Sequence, residues 1–256
     1  LGVGIASVAR EKAGIIKRGV PLLTGASRSE ARKVLREVAG QNDAPLREFG
    51  RDFRAIRTGI QKFSYVSEKS VVEDLTFAMA GGHQIKNAAL ACAAVEELRA
   101  KGFVVPDAAL RQGIQKARFA GRFEIVKRSP DVIIDGAHTP ESMRLLKSTF
   151  RKLYPGISPF VLTGMLREKN WKEMARILAP LAREVVCVSP QGDRALDAEQ
   201  LASRVRELGV PVTVSETIEH GFGMLLQKAS RDDVVLAAGS LYMIGPVRRA
   251  CGLGEE

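Results

Sequence analysis

Five short apolar runs, at residues 132–134, 160–163, 185–188, 212–214 and 234–237, alternate with helical stretches that begin near Pro140, Asn170, Asp197, Thr217 and Leu241. Strands that read as unbroken apolar runs are buried on both faces, and helices between them act as crossovers. The back half of the chain is therefore predicted to be α/β, with a mainly parallel, doubly wound sheet. The front half reads differently. Helices are expected over 5–16, with Gly19 after it, and over 29–39, with a short strand at 20–24 between them. Residues 40–59 are polar and irregular, with a turn at Asn42-Asp43-Ala44-Pro45. An alanine-rich helix over 87–101 is apolar on more than one face, which predicts burial, and another helix opens at Pro106. Arg118-Phe119-Ala120-Gly121 forms the expected junction, giving domains 1–118 and 119–256.

The run Val132-Ile133-Ile134-Asp135-Gly136-Ala137-His138-Thr139-Pro140 concentrates chemistry at the end of one such strand. Open α/β sheets bind ligands at their strands' carboxyl ends, where Asp135 and His138 would project. Gly136 and Ala137 leave room for a ligand to approach the backbone, Thr139 can cap the next helix, and Pro140 needs no donor at its first position. The start of that helix is expected to favour an anion. A plain strand-turn-helix accounts for the same residues, so other segments must decide.

The net charge of +10 raises the question of nucleic acid, and basic residues are dense from Arg28 to Arg57. Few aromatic residues interleave them, so a solvated helix face is favoured and no nucleic-acid partner is expected. A positive field of this kind would also attract a polyanionic small molecule. Cys92, Cys187 and Cys251 stand far apart, suggesting neither a disulfide framework nor a zinc site, and a reducing cytoplasm fits. No apolar run approaches the length of a membrane span, so no membrane partner is expected.

Ordered along the chain are Glu11-Lys12-Ala13-Gly14-Ile15, His83-Gln84-Ile85-Lys86-Asn87-Ala88, Gly121-Arg122-Phe123-Glu124 and Asp135-Gly136-Ala137-His138-Thr139-Pro140. Gly164-Met165-Leu166, Arg194-Ala195 and Gly239-Ser240-Leu241 follow them. This set resembles the folylpolyglutamate synthase and dihydrofolate synthase family of the Mur ligase superfamily. The family's phosphate-binding Gly-x-x-x-x-Gly-Lys-(Ser/Thr) string does not occur here. Its magnesium-binding histidine lies just upstream of a Leu-Gly pair matched by Leu1-Gly2. The resemblance therefore implies the back part of a longer protein: the end of a central ATP-binding domain, then a Rossmann-like C-terminal domain.

It also implies ATP-dependent addition of L-glutamate to a folate or to dihydropteroate through an acyl phosphate, in a cytoplasmic monomer using ATP and Mg2+. This chain alone is expected to be inactive. By resemblance Lys12 is carbamylated and orients magnesium, which requires burial or a neighbouring cation such as Arg10 to favour the neutral amine. A surface lysine beside a glutamate is the alternative. Asn87 would contact adenine, or simply cap a helix. Arg122 would reach the ATP phosphates, or be a solvated hinge residue. Asp135 would accept from the ribose hydroxyls, and His138 would lie near the nucleotide or be an interior histidine. Thr139 departs from the family's commoner asparagine. Lys169 is given no catalytic role, Ser240 is read as a cap, and His83 and His220 as structural. A peptidoglycan Mur ligase and a nucleotide- or glutamate-binding module without catalysis are the competing functions.

Overall fold

The computed structural model describes residues 4–59 and 61–254, and the Leu1-Gly2 pair lies outside them. The chain divides into two compact units. One runs to Ala78 and resumes at Gly82–Ala117; the other holds Met79–Gly81 and everything from Arg118 onward.

In the second unit, strands β6 (Glu124–Lys127), β7 (Asp131–Asp135), β8 (Phe160–Thr163), β9 (Glu184–Cys187), β10 (Val212–Val214) and β11 (Val234–Ala238) form one sheet, ordered β10-β9-β8-β11-β7-β6. Every pairing is parallel except β6 with β7. Period two divides each strand between two cores. Ile133, Val161, Val185 and Leu236 join Met143, Phe150, Met174 and Leu201 on one face. Val132, Ile134, Leu162, Val186 and Val235 join Ile218, Phe222, Leu225 and Val247 on the other.

The first face is covered by α5 (Pro140–Leu153), α6 (Trp171–Leu178) and α7 (Ala198–Glu207), the second by α8 (Ile218–Lys228) and α9 (Ile244–Ala250). The order explains the split: β7 to β10 step in one direction across the sheet and β10 to β11 steps back, so right-handed crossovers put α8 on the opposite face. Helix starts fall where the sequence put them, on side-chain caps from Thr139, Asn170, Asp197 and Thr217. β6 was not anticipated, because a four-residue edge strand of half-buried residues has no strong period.

In the first unit, α1 (Ile5–Ala13) packs on α2 (Ser29–Gln41), and β1 (Leu22–Thr24) pairs in parallel with β2 (Leu46–Glu48). β3 (Phe53–Arg57), β4 (Lys62–Ser67) and β5 (Val71–Thr76) form an antiparallel sheet, with α3 (Gly82–Ala100) and α4 (Asp107–Lys116) sharing its core. Residues 40–59, expected to be irregular, thus contain two strands. Half of their side chains are charged and most are at least partly exposed, which hides strand character in the sequence.

α1 stops at Ala13, short of Ile16. α3 begins at Gly82, five residues before the expected start, and is half buried rather than buried all round. Gln84, Ile85, Ala88, Ala89, Cys92, Ala93 and Glu96 form one inward stripe, while Leu98 on the other side is exposed. Beneath that stripe, the buried Glu96 carboxylate accepts from Tyr65 Oη at 2.8 Å and Ser67 Oγ at 2.6 Å, and pairs with Arg47 at 2.7 Å. These bonds hold its carboxyl below the ordinary range although burial pushes it up.

Candidate functional site

The carboxyl ends of the adjacent strands β7 and β11 lead to helices on opposite faces of the sheet, α5 and α9, the topological position at which such sheets bind ligands. Two sequence motifs interlock there. Asp135, the last residue of β7, accepts the backbone N–H of Phe123 through Oδ2 and that of Ala137 through Oδ1, both at 2.8 Å. The Gly136 N–H donates to Gly121 O at 2.8 Å, and the Gly121 N–H donates to Glu124 Oε2 at 2.8 Å. Glu124 in turn pairs with the buried Arg248 of α9.

Left-handed backbone at Gly121 (φ 67°) and Phe123 (φ 46°) makes the tight turn on which Arg122 stands, its guanidinium 6.0 Å from the Phe119 ring centre. Burial raises the Asp135 carboxyl above its ordinary value, opposed by the two N–H donors and by the charges of Arg122 and His138. Each oxygen keeps a further lone pair for a ligand hydroxyl.

His138 Nδ1 lies 2.8 Å from Gly136 O. A carbonyl only accepts, so Nδ1 carries the hydrogen and Nε2 is the ring atom left for a ligand. Two local expectations change. Gly136 does not make space for a ligand: a Cβ there would stand 2.4 Å from Leu241 Cδ2 and 3.2 Å from Ile244 Cδ1, so glycine serves internal packing. The start of α5 is also a poor anion site. Ser142 Oγ accepts from the His138 and Thr139 N–H groups at 3.1 and 3.0 Å, Thr139 Oγ1 accepts from Ser142 N–H at 3.1 Å, and Pro140 has no N–H. Ser240 caps as expected, accepting from Tyr242 N–H at 3.3 Å.

Arg122, Asp135 and His138 are therefore gathered at one edge of the second unit, while Asn87 and Lys12 lie on separate helices of the first. Asn87 is exposed in the second turn of α3 and donates to Gln84 Oε1 at 2.9 Å, so it is no helix cap, and among the described residues no donor bonds its Oδ1. The Lys12 side chain is 73% exposed and its Nζ lies 3.5 Å from Glu11 Oε1, while Arg10 turns to Glu37 at 3.5 Å. The described residues thus give Lys12 neither burial nor a free cation at its side. They also contain no group of three His, Cys, Asp or Glu able to hold a metal ion. His220 Nδ1 meets Ser215 Oγ at 3.2 Å, a structural contact.

One cluster went unread as a site. Arg194, after β9, donates to Tyr242 Oη at 2.8 Å, after β11, and to Glu168 Oε1 at 3.2 Å, after β8. The string Arg194-Ala195 was its only signal, because its two partners come from two distant loops. Among the described residues no helix is long and apolar enough to cross a membrane.

Residues 121–241 match the family model described as Mur ligase, glutamate ligase domain. The dihydrofolate synthase/folylpolyglutamate synthase of Bacillus subtilis (strain 168) is 32% identical over 257 residues, covering 97% of this chain and 59% of that protein. The enzyme of the same name from Escherichia coli (strain K12) is 29% identical, covering 96% of this chain and 56% of that protein. Among solved structures, E. coli FolC in complex with DHPP and ADP has a TM-score of 0.85 at 28% identity over 98% of this chain and 58% of its own. The Mycobacterium tuberculosis folylpolyglutamate synthase complexed with ADP and AMPPCP has a TM-score of 0.87 at 26% identity, over 100% of this chain and 61% of its own. The chain thus spans about three fifths of the length of these relatives.

Proposed function

Since the chain is a homologue of the folylpolyglutamate and dihydrofolate synthases and carries a Mur ligase glutamate-ligase domain, we propose that it is the nucleotide- and glutamate-handling part of an ATP-dependent ligase. That ligase adds L-glutamate to folates, and to dihydropteroate, in the cytoplasm and as a monomer. Residues up to about 118 are read as the end of the central ATP-binding domain and the rest as the Rossmann-like C-terminal domain. The observation that carries the reading is the interlock of Gly121-Arg122-Phe123-Glu124 with Asp135-Gly136-Ala137-His138 at the sheet's carboxyl edge.

In this reading the Asp135 clasp has two tasks. It fixes the turn that aims Arg122, whose planar, permanently charged head suits ATP phosphates, and it keeps lone pairs for ribose hydroxyls. His138 offers Nε2 to the nucleotide, and Asn87 offers Oδ1 and an N–H to adenine. Arg194, held by Tyr242 and Glu168, has guanidinium donors left for a carboxylate of the incoming glutamate. Among the described residues Lys12 stands in no group of three metal-ligating side chains, so no step is routed through the metal.

Acyl phosphate formation depends on aligning a carboxylate with the γ-phosphate and neutralising charge. No phosphate-loop string occurs in these 256 residues, so the chain alone turns over no ATP in this account. The test is glutamate transfer to tetrahydrofolate and dihydropteroate by the protein encoded by the whole reading frame, with Arg122→Ala beside it. The variant raises KM for ATP. Transfer to a UDP-linked peptidoglycan precursor instead would favour the Mur alternative, nucleotide binding without transfer would favour the binding module, and an unchanged KM would remove Arg122 from the site.

A further inference from the structure

In the first unit, the parallel strands β1 and β2 end side by side at Thr24 and Glu48, and the loop 25–28 leads from β1 into α2. Against this loop lies an open cavity of about 520 Å³ lined by Ser27, Ser29, Arg32, Lys33 and Arg36. Positions 29, 32, 33 and 36 share one face of α2, while Val34, Leu35 and Val38 on the other side pack toward α1. The cations are held in place from behind. Arg32 Nε donates to Ala26 O at 2.8 Å, which pins the loop and leaves both terminal nitrogens without a hydrogen bond to the described residues. Arg36 donates to Glu48 Oε2 at 3.1 and 2.7 Å, and Glu48 is only 2% exposed, so a buried carboxylate anchors this guanidinium. Lys33 makes no ion pair among the described residues.

A further cation crosses the loop: a Cβ at Gly25 would stand 2.4 Å from Lys86 Cε, so glycine there lets the α3 lysine lie against the backbone. The acids nearby are Glu48, taken by Arg36, Asp52, which accepts from the Glu48 N–H at 2.7 Å, and Glu30, which accepts from Ser29 Oγ at 3.1 Å. No aromatic residue lines the cavity, so stacked bases find no platform.

We propose that this cavity binds a chain of regularly spaced carboxylates, the oligo-γ-glutamate tail of the ligase's folate substrate. The proposal rests on the ligase reading above. Residues 29 to 36 span about 10 Å along the helix, so the cations form a line rather than a point. A tail with one α-carboxylate per unit meets several of them at once, whereas a single phosphate meets one or two. Each added glutamate would then strengthen substrate binding without any change at the reacting carboxylate.

The test is calorimetric titration of the 256-residue chain with tetra-γ-glutamate, for the wild type, K33Q, R32Q/K33Q and a control, K101Q, on an exposed lysine beyond α3. K33Q alters no bond in the fold and so carries the test even if Arg32→Gln loosens the loop. Binding is expected in the wild type, weakened several-fold in K33Q, by about tenfold or more in the double variant, and unchanged in K101Q. No wild-type binding, equal losses in K101Q, or an undiminished double variant overturns the proposal. Tripolyphosphate, titrated in parallel, separates the two sources of anionic charge; binding of it with none of tetra-γ-glutamate also overturns the assignment. ADP titrated separately keeps the two readings distinct, since loss of ADP binding with the pocket's response intact counts against the ligase alone.

Discussion

Gly121 ties the two motifs together, and Gly121→Ala puts a number on that tie. Its φ of 67° costs an alanine about 1–2 kcal/mol, because a Cβ crowds the backbone in the left-handed region. That Cβ would lie 2.0 Å from Ile244 Cδ1, 2.8 Å from Cγ1 and 3.1 Å from Cγ2, where carbon atoms rest comfortably at about 3.5–4.0 Å. Rotating the Ile244 side chain can clear Cδ1, but Cγ1 and Cγ2 are close to the α9 backbone. Overpacking of this kind costs about 1–3 kcal/mol, so the expected total is about 2–5 kcal/mol. Ile244→Val deletes only Cδ1 and costs about 0.5–1.5 kcal/mol alone. In the Gly121→Ala background it relieves the worst overlap, so the double variant should be at least about 1 kcal/mol more stable than additivity predicts. Urea unfolding followed by the fluorescence of Trp171, the chain's one tryptophan, reports on the second unit, because Trp171 packs against its core. A Gly121→Ala loss under about 0.5 kcal/mol, or strictly additive losses, would refute the argument.

Asp135→Asn keeps the shape but offers one acceptor where two N–H groups need one each, so a buried donor loses its partner. The expected loss is about 1–3 kcal/mol by the same urea assay, reduced by relief of the carboxylate's burial, and a more stable variant would contradict the clasp. Burial pushes the Cys187 thiol up to about 12. The unfolded chain releases that proton first as pH rises from about 9, so stability is full below that value and falls as pH approaches 12. The loss from Cys187 is about 2 kcal/mol at pH 10.5, largely absent in Cys187→Val; an identical alkaline decline in the variant would argue against it. Lys12 is exposed beside Glu11, so intact-mass spectra of the 256-residue chain in bicarbonate should show no added carbon dioxide, and a gain of one would reverse that reading.

The second unit was legible because its strands are buried on both faces: an apolar run such as Val132-Ile133-Ile134 has one reading, and Asn170, Asp197 and Thr217 mark helix starts by their own hydrogen-bonding chemistry. In the first unit, β2 carries Arg47 and Glu48, whose burial is decided by ion pairs from distant elements rather than by local pattern, and β3 carries the exposed Arg54 and Arg57. Arg47 is the sharpest case, a polar residue inside only because Glu96 and Glu97 on α3 wait for it. At the site, Asp135 and His138 stand out as candidates in one strand-turn-helix, and only the ordered motifs elsewhere in the chain favour a ligand role over a plain turn. What the sequence did not disclose is that Asp135 first serves its own backbone, that Gly136 makes room for Leu241 and Ile244, and that Arg194 meets partners from two other loops. Those facts depend on which strands become neighbours, and that is set by the whole sheet.

The most direct test of the nucleotide site is an ADP titration of the isotopically labelled 256-residue chain, followed residue by residue through backbone amide NMR signals. The account predicts saturable shifts concentrated at Arg122, Gly136, Ala137 and His138, and their loss in Arg122→Ala. Saturable binding that leaves all of these amides unmoved, or no binding at millimolar ADP, would contradict it.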